Sequence, residues 1–251
     1  MKIGIDLDGT VYRSTTIINN AKQALVDIGQ DHEIYYLTNN SSKSPEQLVK
    51  KLSMLSDIAI ATDKFVTPLL VSIGSLEKNK KIFIYGTEFV INYMKQFNYN
   101  ITDTLDESDL LIIGRVPNYS EKNIESFCHY HNTSRPIFAF NKDLTYPTEK
   151  GFEPGNGAII SEIENRLGLN IESFGKPDDY FIDYLDDNDI NLDFIVGDRL
   201  DTDIRLGTKL QIQTALVKTG VYRDSDPIPE DLNPIILDDL FAFSKYLLFN
   251  K

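Results

Sequence analysis

The chain has a single cysteine, few positive charges and no long apolar run, and each shortage excludes a class of protein. One cysteine rules out an internal disulfide. The apolar runs are only a few residues long, so we expect no transmembrane helix. The first residues show no signal-peptide pattern and lead directly into a predicted strand, so a cytoplasmic protein is the simplest expectation.

Positive charge is scarce, with 25 lysine and arginine residues against 38 aspartate and glutamate residues and a net charge of −13. Without a basic surface the chain cannot displace counterions from a polyanion, which argues against polymeric nucleic acid as a partner. We therefore expect neither nucleic acid nor a membrane as a binding partner.

Alternating strand and helix patterns run through the 251 residues and predict an α/β protein with a largely parallel sheet. The segments that begin at Asn20 and Ser44 resemble capping boxes that start two helices. These helices are expected to flank the sheet with apolar stripes at Ala21, Ala24, Leu25 and Ile28 and at Leu48, Leu52 and Leu55.

Two carboxylates come directly after the first predicted strand, in the motif Asp6-Leu7-Asp8-Gly9-Thr10. Open α/β sheets bind ligands at the carboxyl ends of their strands, so these side chains stand where chemistry is expected. Alone, such a pair means little, because acidic residues flank many surface turns. Its significance depends on the residue types at the ends of the other strands.

Three further polar segments stand at strand ends or helix starts. The strand Glu33–Leu37 runs into Thr38-Asn39-Asn40, and Lys176 precedes a proline that opens a helical pattern. A third strand, residues 194–196, runs into Gly197-Asp198 and continues to Asp203. Each segment alone could be a surface turn or a helix start, but their repetition favours one site.

Together, these residue types suit phosphoryl transfer. A carboxylate can attack phosphorus to give an aspartyl-phosphate, while a lysine, a threonine hydroxyl and asparagine amides hold the phosphate oxygens. We expect Asp6 to be the nucleophile and Asp8 to be the general acid and then the base. The expected phosphate-binding residues are Thr38, Asn39, Asn40 and Lys176.

The acidic residues also predict a cation. If Asp6, Asp8, Asp198 and Asp203 converge within roughly 5 Å, each pair repels by about 3 kcal/mol at an effective dielectric of about 20. One lysine cannot neutralise this repulsion, whereas a hard divalent ion can. Mg²⁺, which binds few carboxylates together with phosphate and water, fits best.

The four motifs, in this order, resemble those of the haloacid dehalogenase superfamily phosphatases, and in particular the NagD-like branch, subfamily IIA. The stretches at residues 196–204 and at Lys218-Thr219-Gly220-Val221 are especially specific. The resemblance spans nearly the whole chain and implies a Rossmann-like core with a parallel sheet. It also implies a Mg²⁺-dependent hydrolase of small phosphate monoesters, such as sugar phosphate, nucleotide monophosphate, glycerol phosphate or p-nitrophenyl phosphate.

Position by position, the resemblance implies that the Asp6 carboxylate and the Asp8 backbone carbonyl bind Mg²⁺ together with Asp198. Asp203 would support the metal site through its ligands rather than bind the ion. Caps of this family often take part in dimer contacts, so a homodimer formed through the cap is a further expectation. Phosphate would be bound by Thr38, Asn39 and Lys176.

The separation between the second and third motifs, residues 40 to 176, is far longer than one crossover needs. Its patterns predict an inserted α/β domain over residues 77–172, between core segments 1–76 and 173–251. Such a domain would be a cap, of the C2 type by resemblance, that excludes water and supplies specificity contacts. The predicted strands are 81–85, 110–113 and 137–140, and the predicted helices are 87–97, 120–131 and 158–167.

NagD-like caps present a Thr-Asn-x-Asp loop to the substrate, and the matching segment here is Phe140-Asn141-Lys142-Asp143. Asn141 and Asp143 are therefore expected to bind substrate, whereas Phe140 replaces the threonine. Arg115 stands where the family usually has an aspartate. We hypothesise that Lys142 or Arg115 contacts an anionic group of the substrate distant from the transferred phosphate.

Three other functions fit parts of the pattern. A phosphomutase or phosphotransferase of the same superfamily would use the same residues without net release of phosphate. A phospho-acceptor signalling protein needs neither a leaving-group acid nor a cap. A non-catalytic sensor of phosphorylated metabolites does not need the full set of carboxylates.

Two remaining motifs are interpreted as structural. Cys128-His129-Tyr130-His131 resembles a metal motif, but its members spread over more than one face of a predicted helix. Gly155-Asn156-Gly157 lacks the last glycine of a dinucleotide-binding motif and is expected to form a turn before a helix at Ala158.

Overall fold

Strands and helices alternate along the computed structural model, which describes residues 1–116, 119–148 and 151–249. No helix among these residues has the length and hydropathy needed to cross a membrane. The strands are β1 (Lys2–Asp6), β2 (Tyr12–Arg13), β3 (Thr16–Ile17), β4 (Glu33–Leu37), β5 (Phe65–Val66), β6 (Lys81–Tyr85), β7 (Asn100–Thr102), β8 (Leu110–Ile113), β9 (Ile137–Ala139), β10 (Thr145–Thr148), β11 (Gly151–Pro154), β12 (Glu172–Ser173), β13 (Phe194–Gly197), β14 (Gln213–Val217) and β15 (Ile235–Leu237). The helices are α1 (Ala21–Asp31), α2 (Pro45–Ser56), α3 (Pro68–Ser75), α4 (Glu88–Gln96), α5 (Glu121–His131), α6 (Asn156–Leu167), α7 (Asp179–Asp187), α8 (Arg205–Lys209) and α9 (Leu240–Phe249).

The chain divides into two compact units. The first comprises Met1–Thr38, Pro45–Val66 and Ile182–Lys251, and the second comprises Asn39–Ser44 and Thr67–Phe181. The division separates Thr38 from Asn39, so the predicted phosphate motif contributes residues to both units. The boundaries at residues 77 and 172 stay a prediction.

Six parallel strands form the main sheet of the first unit, in the order β15-β14-β13-β1-β4-β5. β1 lies between β13 and β4, where Ile5 pairs with Val196 and Tyr36. Ile3 and Ile5 are fully buried, as expected for a central strand of a parallel sheet. The predicted fold class is confirmed, and the residues that come after β1, β4 and β13 leave the sheet at the same edge.

Helices α1 and α2 bury the predicted stripes. Ala21, Ala24, Leu25 and Ile28 are buried on α1, Leu48 and Leu52 are buried on α2, and Leu55 packs partly buried against the same core. The capping box predicted at Asn20 is wrong, because this residue has a φ of 59° and its side chain makes no capping hydrogen bond. A capping side chain reaches the first helix amides from an extended backbone, which a left-handed residue does not provide.

The second unit contains a five-stranded parallel sheet, in the order β12-β9-β8-β6-β7. β6 and β8 have the predicted bounds, and Ser120 and Asn123 form a capping box that starts α5. The sequence does not predict the antiparallel pair β10 and β11. Both strands are short and contain a proline, a residue that argues against strand structure when the sequence is considered alone.

The turn predicted at Gly155-Asn156-Gly157 is also wrong, because α6 begins at Asn156. The Asn156 side chain donates hydrogen bonds from Nδ2 to the Ile113 carbonyl at 3.0 Å and to the Asn141 carbonyl at 2.8 Å. These long-range bonds connect the start of α6 to β8 and to the segment that contains Asn141. A local sequence pattern contains no sign of them.

Lys142 contributes to the internal contacts of the second unit. Its Nζ donates to Asn170 Oδ1 at 2.9 Å and to the Ile171 carbonyl at 3.0 Å. The same atom lies 3.5 Å from Glu164 Oε1 and 3.7 Å from Asp178 Oδ2. Two carboxylates and a carbonyl surround this ammonium, so Lys142 has a structural role in the second unit, and its hypothesised contact with substrate stays a prediction.

Replacing Lys142 by methionine should therefore lower the stability of the protein. The variant keeps an apolar stem but removes the cation between Glu164 and Asp178, at an expected cost of about 1–3 kcal/mol in the free energy of unfolding. Thermal and denaturant unfolding of Lys142→Met should be compared with Lys122→Met, which changes an exposed lysine of the same unit. Equal unfolding midpoints for the two variants would contradict the structural role.

Candidate active site

Three buried carboxylates meet at the carboxyl edge of the six-stranded sheet. Asp6 is the last residue of β1, Asp198 directly follows β13, and Asp203 lies in a π-helical turn at Leu200–Ile204. One carboxylate oxygen from each residue lies within 4.8 Å of the others. The residues are 7%, 1% and 0% exposed, respectively, so water screens their charges poorly.

The backbone on the C-terminal side of β14 holds Asp198 in place. The Val221 N–H donates to Asp198 Oδ2 at 2.6 Å, and the Tyr222 N–H donates to the Asp198 carbonyl at 3.1 Å. The other carboxylate oxygen, Oδ1, is buried and accepts no hydrogen bond in the structure. A buried carboxylate oxygen without a donor needs another positive partner, and a cation can be one.

Two glycines allow the chain to approach Asp198 closely. Gly9 has a φ of +103°, and a Cβ atom at Gly9 or at Gly220 would overlap with the Asp198 carboxylate. Gly9 itself is fixed from both sides, because its N–H donates to the Tyr12 carbonyl at 2.8 Å and its carbonyl accepts from Thr219 Oγ1 at 2.6 Å. The loop after β1 and the loop after β14 therefore close around one carboxylate.

Asp203 is placed by its own turn. Its Oδ2 accepts a hydrogen bond from the Arg199 N–H at 3.1 Å, and its side chain packs against the backbone of Gly197. These contacts point the carboxylate back toward the residues that come after β13. The supporting role predicted for Asp203 stays a prediction, and one of its carboxylate oxygens lies within 4.8 Å of those of Asp6 and Asp198.

The electrostatics of this group favour a cation. Burial, with the neighbouring carboxylates of Asp6 and Asp203, raises the pKa of Asp198 well above its usual range, and the Val221 N–H opposes this shift only in part. At separations of about 5 Å and an effective dielectric of about 20, each carboxylate pair repels by about 3 kcal/mol. The donors are all hard oxygens, so these residues fit Mg²⁺.

The Asp8 side chain has a different environment. It is not one of the three grouped carboxylates, it is 26% exposed, and its Oδ1 lies 3.8 Å from Lys51 Nζ. The turn that bears Asp8 is tight, since the Val11 N–H donates to the Leu7 carbonyl at 2.9 Å. Burial, with the carboxylates of Asp8 and Asp6 nearby, raises the pKa of Tyr12 well above its usual range, so this phenol stays neutral.

Lys51 is a neighbour of the site that the sequence patterns did not reveal. A signal is present, because Lys51 lies three residues after Leu48 and four before Leu55, on the apolar stripe of α2. A lysine on the apolar side of a helix indicates that its ammonium group lies close to the protein interior. The role of Val221 could not be recognised from its residue type, because it contacts Asp198 through its backbone N–H.

Thr38 directly follows β4 and is 2% exposed. Its N–H donates to the Val66 carbonyl at 3.1 Å, and the preceding residue, Leu37, pairs with Asp6 in the sheet. The sheet therefore brings Thr38 to the edge at which Asp6 lies. Its contact with phosphate stays a prediction.

Asn39 forms hydrogen bonds with three other residues of the second unit that the sequence predicts to bind phosphate or substrate. Its Nδ2 donates to Asp143 Oδ1 at 2.7 Å and to the Lys176 carbonyl at 3.1 Å, and its Oδ1 accepts from the Lys176 N–H at 2.7 Å. Asn141 completes the group by donating from Nδ2 to the Asn39 carbonyl at 2.8 Å. Lys176 is 3% exposed. Its backbone N–H and carbonyl are both held by the Asn39 side chain.

Asn40 is engaged in a local turn. Its Oδ1 accepts hydrogen bonds from the Ser42 N–H at 3.0 Å and from Ser42 Oγ at 2.9 Å. This arrangement is an Asx turn, which is the structural alternative recognised for this polar run from the sequence.

Arg115 lies on an aromatic ring inside the second unit. Its guanidinium carbon is 3.4 Å from the centroid of the Tyr146 ring, and the Tyr146 hydroxyl contacts the Glu153 carboxylate. These residues line a cavity of about 330 Å³ together with Asn156, whose Oδ1 is buried without a hydrogen-bond partner. Unlike Lys142, Arg115 therefore faces an open space.

Comparison with known proteins identifies the family. The sequence matches the haloacid dehalogenase-like hydrolases over residues 3–100 and a HAD-hydrolase-like family over residues 173–241. An acid sugar phosphatase from Staphylococcus haemolyticus is 30% identical over 242 residues, which cover 92% of this chain and 89% of the relative.

Solved structures have the same fold. A p-nitrophenyl phosphatase from Archaeoglobus fulgidus superposes with a TM-score of 0.85 at 24% identity, with 98% of each chain covered. A glycerol phosphate phosphatase from Mycobacterium tuberculosis, solved in complex with magnesium, gives a TM-score of 0.81 at 25% identity, with 97% of this chain and 77% of that chain covered. The chain therefore belongs to the haloacid dehalogenase-like hydrolases, the superfamily that its four motifs predict.

Proposed function

We propose that this protein is a Mg²⁺-dependent phosphatase that hydrolyses small phosphate monoesters through an aspartyl-phosphate on Asp6. The observation that carries the proposal is the group of Asp6, Asp198 and Asp203, whose buried carboxylates lie within 4.8 Å of one another at the edge of the sheet. The known relatives support the substrate class, since they are phosphatases of sugar phosphate, p-nitrophenyl phosphate and glycerol phosphate.

The reaction proceeds in two steps. In the first, an Asp6 oxygen forms a bond to phosphorus as the ester P–O bond breaks, and Asp8 gives its proton to the leaving oxygen. In the second, Asp8 takes a proton from water as the water oxygen attacks the phosphorus of the aspartyl-phosphate. The Asp6–phosphorus bond then breaks, which releases inorganic phosphate and restores both carboxyl groups.

The remaining residues bind the phosphate and the ion. The Thr38 hydroxyl and the Lys176 ammonium hold phosphate oxygens, and Asn39 fixes Lys176 through its backbone. The ion is held by Asp6, Asp198 and the Asp8 carbonyl, with Asp203 supporting these ligands. Bound Mg²⁺ supplies positive charge that offsets the buried carboxylates and the phosphoryl oxygens.

Replacement of the two aspartates of the first motif should separate their roles. Asp6→Asn should abolish release of phosphate from p-nitrophenyl phosphate, whereas Asp8→Asn should lower kcat by about 10²–10⁴-fold and let the phosphoenzyme accumulate. Steady-state assays and acid-quenched labelling of the protein would measure both effects. Asp187→Asn, an exposed carboxylate at the end of α7, is the control and should behave like the wild type.

The same assay distinguishes the alternative functions. A phosphomutase would isomerise a sugar phosphate with no net release of phosphate, and a phospho-acceptor protein would be labelled without turnover. Wild-type turnover by Asp6→Asn would refute the assignment of the nucleophile.

Metal binding should be visible as a change in stability. Without an ion, Asp198 destabilises the fold at neutral pH, because its folded-state pKa is raised above that of the unfolded chain; this penalty decreases as the pH falls below the raised pKa and is gone below the unfolded-state pKa. Asp198→Asn should therefore melt higher than the wild type in EDTA, by about 2–4 °C for each kcal/mol of repulsion removed. Mg²⁺ should raise the melting temperature of the wild type and leave that of Asp198→Asn nearly unchanged.

The control for this experiment is Asp187→Asn, which should respond to Mg²⁺ as the wild type does. Activity that survives exhaustive chelation would contradict the metal requirement. A Mg²⁺-induced shift of equal size in Asp198→Asn would show that this residue is not a ligand.

Arg115 is the remaining candidate for recognition of a second anionic group, since Lys142 is engaged within its own unit. Arg115→Met should raise KM for phosphate esters that carry a further carboxylate or phosphate, by about 10-fold, which corresponds to one charge-assisted contact. KM for p-nitrophenyl phosphate, which has no such group, should stay within about 2-fold of the wild type. A uniform change over a substrate panel, or none, would refute this role.

A further inference from the structure

Lys51 lies between the Asp8 carboxylate and the ring of Tyr12. Its Nζ is 3.8 Å from Asp8 Oδ1 and 3.5 Å from the centroid of the Tyr12 ring. The Lys51 and Asp8 side chains are only 21% and 26% exposed, and Tyr12 is fully buried. The ammonium therefore has an anionic partner and an aromatic face in a setting that water reaches only in part.

The packing of α2 determines this position. Leu48 and Leu52 are buried on the same side of the helix as Lys51, so the lysine stem extends along the apolar face. A lysine charge is seldom placed on such a face, because its desolvation costs free energy unless a partner compensates for it. The Asp8 carboxylate and the electron-rich face of Tyr12 supply that compensation here.

The backbone around Asp8 is fixed independently. The Gly9 N–H donates to the Tyr12 carbonyl at 2.8 Å, and Thr219 Oγ1 donates to the Gly9 carbonyl at 2.6 Å. With the turn held in this way, the orientation of the Asp8 carboxyl group depends on its side-chain torsions. Lys51 acts on those torsions by attracting Oδ1.

We propose that Lys51 is a positioning residue for Asp8, and that it holds this carboxyl group in the orientation used for proton transfer. The proposal rests on the phosphatase function proposed above. Lys51 acts through Asp8, whose Oδ1 lies 3.8 Å from its Nζ, so its removal should affect the proton-transfer step more than substrate binding. Tyr12 supports Lys51 by offering its ring as the second surface for the ammonium.

The leaving group makes this role measurable. An alkyl phosphate releases an alkoxide, which must be protonated as the ester bond breaks, whereas p-nitrophenolate leaves with little help. A misplaced Asp8 should therefore slow the formation of the phosphoenzyme strongly from an alkyl phosphate and weakly from p-nitrophenyl phosphate, whereas the later attack of water is slowed equally for both. A general loss of stability or of phosphate binding would slow both substrates alike.

The experiment compares Lys51→Met with the wild type on glycerol phosphate and on p-nitrophenyl phosphate at saturating Mg²⁺. In acid-quenched single-turnover experiments, we expect the rate of phosphoenzyme formation from glycerol phosphate to fall by about 10-fold or more and that from p-nitrophenyl phosphate by less than about 3-fold, with the half-saturating substrate concentrations within about 2-fold of the wild type. Lys51→Arg should restore most of the lost rate, since it returns a cation to the same face. Lys50→Met, the exposed neighbour on α2, should match the wild type on both substrates.

Equal losses in the rate of phosphoenzyme formation from the two substrates, or a Lys51→Met variant that matches Lys50→Met, would overturn the positioning role. Melting temperatures of all variants show whether Lys51→Met is folded at the assay temperature, and Lys51→Gln replaces it in the same comparison if it is not. A wild-type protein that releases phosphate from neither substrate would instead overturn the proposed phosphatase function. The two failures are therefore distinguishable.

Discussion

Mutual repulsion among buried carboxylates is the constraint on which the first unit depends. Asp6, Asp198 and Asp203 are almost completely buried and lie within 4.8 Å of one another. At about 3 kcal/mol for each pair, this repulsion is comparable with the total stability of about 5–15 kcal/mol that a folded protein has. A rigid parallel sheet and two closely packed loops hold the charges together, and a cation bound at the same place would relieve the repulsion.

The sequence predicts the parts of this arrangement that are encoded locally. A buried strand followed at once by Asp6, by Thr38 or by Asp198 is a pattern of a few neighbouring residues, and parallel pairing then brings the three strand ends to one edge. The contact of the Val221 N–H with Asp198 joins residues that are distant in the chain, so no local pattern contains it. The same holds for the hydrogen bonds between the Asn39 side chain and the Lys176 backbone, because these residues belong to two separate sequence motifs.

The errors have equally physical causes. Asn20 satisfies the composition of a capping box, but its backbone is left-handed, with a φ of 59°, and its side chain makes no capping hydrogen bond. Lys142 is a reasonable substrate contact by its position in the loop. In the structure its ammonium is held by Glu164, Asp178 and a backbone carbonyl, because a charge near the interior is stabilised first by the groups that surround it, and its contact with substrate stays a prediction.

The close packing of Asp198 against Gly9 and Gly220 has a consequence for how the family can vary. Neither glycine offers a functional group, and residues 9 and 220 come from opposite ends of the chain, yet each occupies space that any larger side chain would take from the carboxylate. The residues that fit at these two positions are therefore determined by the place of the Asp198 carboxylate and not by the packing of the hydrophobic core. Substitutions elsewhere in the sheet can leave the Asp198 carboxylate in place, whereas a side chain at residue 9 or residue 220 would displace it.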